Sequence, residues 1–258
     1  MRDYTKQQYR KIVFALTRHG YQCDALINYG VTHSNKAAFL RHDVDKMPQN
    51  ALDFARLEHE MGISASYYFR IVPQSFNPKI IKEIASLGHE IGYHYEDMDL
   101  CSGDLDKAYI SFQKNLAKLR EIAPIQTICM HGSPLSKYDN RDLWKKYDYR
   151  ELGIVGEPYF NIDYNKVFYL TDTGRKWNSM DASIRDKVAS SFHIEIRNTK
   201  HLIQLICEGK LPDQVMINTH PQRWNDNLLL WTRELFCQTI KNQGKKIVVR
   251  WWRGGVLW

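Results

Sequence analysis

The chain has 258 residues, 43% of them hydrophobic, which suffices for one sizeable core. No apolar run approaches the roughly 18 residues that span a bilayer, so no membrane span is expected. A formal charge of +7, spread along the chain, favours anionic partners such as a nucleotide-linked or phosphate-linked substrate.

The amino end, MRDYTKQQYRKIVF, mixes charges where a secretion signal would be apolar. Five scattered cysteines (Cys23, Cys101, Cys129, Cys207, Cys237) form no CxxC pair and read as reduced thiols. A cytoplasmic setting is therefore expected. Residues 1–30 read as a helix followed by a loop packed outside the main body. AAFLRHD then forms a buried strand, and Pro48 opens a helix in PQNALDFARLEHEMG. SASYYFR is the second strand, NPKIIKEIASLG a helix and HEIGYHY the third strand. In GDLDKAYISFQKNLAKLREIAP, residues Leu105, Ala108, Tyr109, Phe112, Leu116 and Leu119 share one helical face, and Pro124 follows its end. QTICMH, VFYL and QVMINTH are further strands. RWNDNLLLWTRELFCQTIKNQG places Leu228, Trp231, Leu235 and Phe236 on one helical face and stops at Gly244. KKIVVRWW reads as a last strand. Its bases among aromatics resemble a nucleic-acid surface, but the alternation fits a strand better, and nucleic acid is not an expected partner. Strands alternating with helices imply an α/β fold with a parallel sheet, open or closed into a barrel. No linker interrupts residues 1–258, which read as a single domain ending in a closing helix and strand over 223–258.

Polar residues gather where strands end. His42, Asp43 and Asp45 follow the first strand, and His94, Glu96 and Asp97 the third. His131, Ser133, Asp139 and Arg141 follow the fourth, Asp172 and Arg175 stand near VFYL, and His220 ends QVMINTH. A lone histidine at a strand end is more often a hydrogen-bonding structural residue, and His89 is read that way. A single aspartate before a helix is often its cap. Five such stretches at the same end of successive strands converge on one mouth, where parallel-sheet enzymes keep their chemistry. Imidazole and carboxylate together form a ligand set for Zn²⁺ or a similar divalent ion. Such an ion polarises a carbonyl and lowers the pKa of its bound water to about 7. A carboxylate off the metal can take a proton, and a histidine opposite can give one to a leaving amine. The inventory fits metal-assisted hydrolysis of an amide or ester. No P-loop or GxSxG elbow is present, which counts against a nucleotide hydrolase and a serine esterase. In DNRDLWKKYDYR, Arg141, Lys145 and Lys146 would suit a substrate phosphate or simply a solvated helix face.

RHDVD, GHEIGYH and VMINTH, in that order, resemble the ordered motifs of the polysaccharide deacetylases, or NodB-homology domains, of carbohydrate esterase family four. The resemblance covers residues 37–222, and GHEIGYH is its most specific part. It implies a distorted (β/α) barrel of about seven parallel strands with surrounding helices. It also implies Asp43 as general base, Asp45 and His94 as metal ligands, and His220 as general acid. The family's second metal histidine, four residues after the first, is replaced here by Met98, a poor ligand for Zn²⁺. Glu96, Asp97 and His131 are the candidates for the third ligand. Glu96 is preferred, because in an extended segment it points the same way as His94. His131 stands where the family carries an arginine that orients the catalytic aspartate. His131, Asp172 and Arg141 are therefore expected to bind or orient the substrate.

The resemblance implies an N-acyl, chiefly N-acetyl, hydrolase acting on a sugar. The expected metal is zinc, with cobalt, nickel and manganese as alternatives. With no export signal read, the expected substrate is a small-molecule, nucleotide-linked or lipid-linked precursor of a cell-surface polysaccharide. A deformylase or other C–N hydrolase would use the same residues. A non-catalytic carbohydrate-binding or scaffold protein that has lost its metal is the rival from another class. His220 and Asp43 end strands far apart in sequence, and barrel closure is the expected means of bringing them together.

Overall fold

In the computed structural model of the chain, strands and helices alternate around one parallel sheet. The structure describes all residues except 1, 33, 134–135, 178–187 and 255–258, and the side chains of 245–254 also lie outside the description. The strands are β1 (Gln22–Asp24), β2 (Ala37–Val44), β3 (Ser66–Phe69), β4 (Glu90–Tyr95), β5 (Ile125–Met130), β6 (Phe168–Thr171) and β7 (Gln214–Thr219). Their order across the sheet is β5-β4-β3-β2-β7-β6. β1 pairs with Ala37–Phe39 of β2, and β3 takes over that edge from Arg41 onward.

The helices are α1 (Lys6–Arg18), α2 (Pro48–Glu60), α3 (Pro78–Ser86), α4 (Asp97–Leu100), α5 (Leu105–Arg120), α6 (Pro158–Asn161), α7 (Thr199–Cys207) and α8 (Leu228–Gly254). Local chemistry starts several of them. The Asp104 carboxylate accepts from the backbone N–H of Asp106 (3.1 Å) and Lys107 (3.0 Å) and caps α5. α5 then buries Ala108, Phe112, Leu116 and Leu119, four of the six residues placed on its apolar face. Asn77 and Asn198 cap α3 and α7 in the same way.

Among the described residues there are seven parallel strands, but they are not the seven read from the sequence. β1 lies in the segment expected to be loop. KKIVVRWW is not a strand, because α8 runs through Gly244 without a break to Gly254. Periodicity alone does not separate a short apolar strand from a buried helical stretch, and here the helix already under way continues.

The two sheet faces differ. Leu40, Val44, Tyr67, Phe69, Ile91 and Tyr93 pack outward into one large core with the helices. Phe39, Tyr68, Cys129, Tyr169 and Met216 form a smaller cluster on the inner face. A Cβ on Gly92 would stand 2.3 Å from the Tyr68 ring, so the second glycine of GHEIGYH leaves room for an inward tyrosine.

Among the described residues the sheet is open, with β5 and β6 at its edges, yet it curls strongly. β2 and β5 are three ladder steps apart, about 14 Å in a flat sheet. The side chains of Asp45 and His131, just past their ends, nevertheless approach to 3.7 Å. Closure is not what joins Asp43 to His220. β2 and β7 are hydrogen-bonded neighbours, with His42 opposite Thr219. The chain winds one way from β2 through β5 and returns to the other side with β6 and β7. The carboxyl ends of β2 and β7 thus flank the point where the winding reverses, which is where open α/β sheets bind ligands.

Candidate active site

Alternation along β2 sorts RHDVD onto two faces. Arg41 and Asp43 point inward and His42 outward. His42 therefore leaves the mouth. Its Nε2 lies 2.8 Å from Glu58 Oε1, and its Nδ1 lies 2.7 Å from Thr219 Oγ1.

Inside, Arg41 grips Asp43 with both arms, Nε to Oδ1 at 2.8 Å and a terminal nitrogen to Oδ2 at 2.7 Å. Asn218, inward on β7, donates to Oδ2 at 3.0 Å. Burial alone would raise the Asp43 pKa, but Arg41, followed by His94 and His220, holds the carboxyl well below the usual range. His94 Nε2 lies 3.9 Å and His220 Nε2 4.0 Å from Asp43 Oδ2.

Asp45 follows β2. Its Oδ2 accepts from Gln222 at 3.0 Å, while its Oδ1 is buried without a hydrogen-bond partner. That oxygen lies 3.7 Å from His94 Nε2 and 3.7 Å from His131 Nε2. Burial opposes its ionisation, but His220, His131 and His94 lower the Asp45 pKa to about 2. His94 Nδ1 donates to the Cys129 carbonyl at 2.9 Å, which fixes the tautomer and leaves Nε2 with a free lone pair. Burial pushes the His94 pKa down to about 4, against the pull of Asp43. The ring is therefore neutral near pH 7. Asp45, His94 and His131 form a group whose ligand atoms all lie within 4.8 Å of one another. The donor chemistry fits a divalent ion, and the bare carboxylate oxygen gives it a place.

Glu96 does not belong to that group. Arg70 holds it bidentately, Nε to Oε1 at 3.0 Å and a terminal nitrogen to Oε2 at 2.6 Å. His131 Nδ1 stands 2.9 Å from Oε2, close but out of line for a full hydrogen bond. Burial opposes ionisation of Glu96, but His131 and Arg70 lower its pKa to about 2. Asp97, the alternative, is turned away and pins α4 to α5. It accepts from Ser111 Oγ at 2.6 Å, Tyr93 OH at 2.7 Å and Asn115 at 2.9 Å. Met98 is buried in the outer core.

His220 Nδ1 lies 2.6 Å from Asp172 Oδ1, which leaves Nε2 on the Asp43 side. Asp172 also accepts from Arg223 at 2.7 Å and from Trp224 Nε1 at 2.7 Å. Burial works against its charge, but Arg223 and His220 keep the carboxyl below its ordinary range. Arg141 stays apart from this cluster. It pairs with Asp139 and stands 5.3 Å from the centre of the Tyr159 ring, which itself lies 5.5 Å from Arg41.

Sequence reasoning missed Arg41, Arg70, Asn218, Gln222 and Arg223. Two of them carried a signal. Arg41 stands two residues before Asp43 and Asn218 two before His220, so alternation already put each on its neighbour's face.

No family model and no curated protein matches the chain. Among solved structures, it is similar to the Xyl-CE4 domain of a multidomain xylanase from the hindgut metagenome of Trinervitermes trinervoides. The identity is 14% and the TM-score 0.39, over 81% of this chain and 84% of that one. Likeness at that level assigns no role to any residue here.

Proposed function

We propose that the chain is a metal-dependent hydrolase that removes an acyl group from the nitrogen of a sugar. One observation carries the metal part. Asp45 Oδ1 is a buried, ionised oxygen with no hydrogen-bond partner, set between two imidazole nitrogens. A bare buried charge of this kind is costly unless a cation completes it. Asp45, His94 and His131 would hold the ion, with His131 in the place expected of Glu96. Glu96 would orient the His131 ring, as a carboxylate behind a ligating histidine commonly does.

A divalent ion held there supplies Lewis acidity toward a carbonyl oxygen and lowers the pKa of a bound water. The remaining work falls to the chain. Asp43, kept ionised by Arg41 and positioned by Asn218, takes the proton from the attacking water. His220, with Nδ1 held by Asp172, presents Nε2 to the departing amine and protonates it. The two groups face each other across the ends of neighbouring strands, as flanking one scissile bond requires. The acyl-amide and sugar parts of the reading rest on the likeness of RHDVD, GHEIGYH and VMINTH to the deacetylase motifs. Zinc is the first candidate, and the substrate is proposed to be a lipid-linked or nucleotide-linked sugar precursor.

Elemental analysis tests the assignment. Purified protein should carry one divalent ion per chain, and Asp45→Ala, His94→Ala and His131→Ala should each lose it while remaining folded. Full occupancy in His131→Ala, with loss in Glu96→Gln, would return the third position to Glu96.

A further inference from the structure

α8 has two working faces. One packs on the body beside the mouth. Trp231 Nε1 donates to the Asp3 carbonyl at 2.6 Å, Lys46 Nζ meets Glu234 at 3.2 Å, and Asn242 donates to the Gly174 carbonyl at 2.9 Å. Lys46 follows Asp45 and Gly174 lies two residues past Asp172, so the helix borders the candidate site directly.

The opposite face has no protein partner among the described residues. Leu229, Phe236 and Ile240 are 79%, 67% and 56% exposed. At about 100° per residue they form one stripe turned away from Trp231, Glu234 and Gln238. Six of the thirteen large exposed hydrophobic residues described for the chain fall within residues 228–240. The spacing of seven and then four residues recurs in the sequence with Ile247 and Trp251.

Charge narrows the choice of occupant. Residues 228–254 contain Arg233, Lys241, Lys245, Lys246, Arg250 and Arg253 against a single acid, Glu234. That acid is buried and paired with Lys46. Two copies docked helix to helix would bring together two basic segments with no acid of either helix free to answer. An anionic lipid surface supplies the missing charge. A long helix with an apolar stripe among bases is the pattern of helices that lie in the bilayer interface. No helix described is long and apolar enough to cross a membrane.

We propose that α8 docks the protein on an anionic phospholipid surface through Leu229, Phe236 and Ile240. This holds the mouth at the interface where the sugar of a lipid-linked precursor lies. The substrate clause rests on the hydrolase reading given above, whereas the docking does not.

Co-sedimentation of the full chain with phosphatidylglycerol or phosphatidylcholine vesicles tests it. The chain should sediment with the anionic vesicles only, and high salt should weaken that binding about tenfold or more. The triple variant Leu229→Gln, Phe236→Gln, Ile240→Gln should lose about tenfold or more in partitioning. Its helicity and metal content should be unchanged, because the three side chains touch no core. His94→Ala should bind vesicles like wild type, so loss of metal and loss of docking are read separately. Three results would overturn the proposal: no binding to anionic vesicles, equal binding to both kinds, or a wild-type dimer that the triple variant dissolves.

Discussion

On the outer face of β2, His42 meets Glu58; on the inner face, two residues of the same sequence motif meet Arg41, His94 and Gln222. Both clusters set carboxylates against imidazoles, but their polar atoms end differently. Glu58 Oε1 accepts from Tyr9 OH and lies against His42 Nε2, and Oε2 accepts from Tyr67 OH. His89, beside it, gives Nε2 to the Ala55 carbonyl at 2.8 Å and takes the Ala65 N–H on Nδ1. No atom of that outer group lacks a partner. On the inner face, Arg41, Asp45, Asn218 and Gln222 each keep a buried nitrogen or oxygen without one. Saturated buried networks rigidify a fold, and unsaturated ones need an explanation. The comparison separates a saturated cluster from an unsaturated one where residue types alone cannot.

The largest expected effect is on turnover. Asp43→Asn should keep the bound metal and lose about 10²–10⁴-fold in kcat, the usual range for a positioned base. Steady-state kinetics beside metal analysis checks this, and loss of the ion would move Asp43 into the ligand set.

Next comes stability, where the two clusters should respond to different degrees. Glu58→Gln breaks a filled buried network and should cost about 3–5 kcal/mol in denaturant unfolding, with metal binding intact in the folded protein. Asp45→Asn removes a charge whose Oδ1 has no hydrogen-bond partner, and should cost the metal-free protein less than Glu58→Gln. Burial opposes ionisation of Glu58, but His42 and then His89 hold its carboxyl below the ordinary value of 4.5. Its contribution is therefore present above that value and lost as pH falls through the lower folded one. The wild-type and Glu58→Gln stability curves should converge in acid. A variant as stable as wild type near pH 7 would show the outer cluster to be dispensable.

The smallest effect sharpens the inner cluster itself. If Glu96 acts only through the His131 ring, Glu96→Gln should weaken metal affinity about 10–100-fold without abolishing it. Competition with a chelator measures this, and complete loss would make Glu96 a ligand.

Much of this was legible in the sequence. GHEIGYH singled out His94, which the structure buries with Nδ1 on the Cys129 carbonyl. Regular alternation and capped amphipathic helices placed β2 to β7 and α5. β1 was not legible because three residues carry too little pattern. KKIVVRWW was misread because β-branched and aromatic residues fit a strand until a preceding helix extends through them. His131, which the structure groups with Asp45 and His94, was weighed as a third ligand but not preferred. The extended-segment argument, which puts Glu96 on the same side as His94, favoured Glu96, while the curl that carries β5 toward β2 is a property of the whole sheet.

That curl has a kinetic consequence. The three proposed donors come from the ends of β2, β4 and β5, at residues 45, 94 and 131, and no two are near neighbours in the chain. They meet only when the parallel ladders from β2 to β5 have paired, a non-local step. If those ladders pair after the folding transition state, an ion bound there stabilises contacts that this state lacks. Metal loading should therefore lengthen the lifetime of the folded protein while leaving its folding rate nearly unchanged. Chelation would shorten that lifetime without emptying the core.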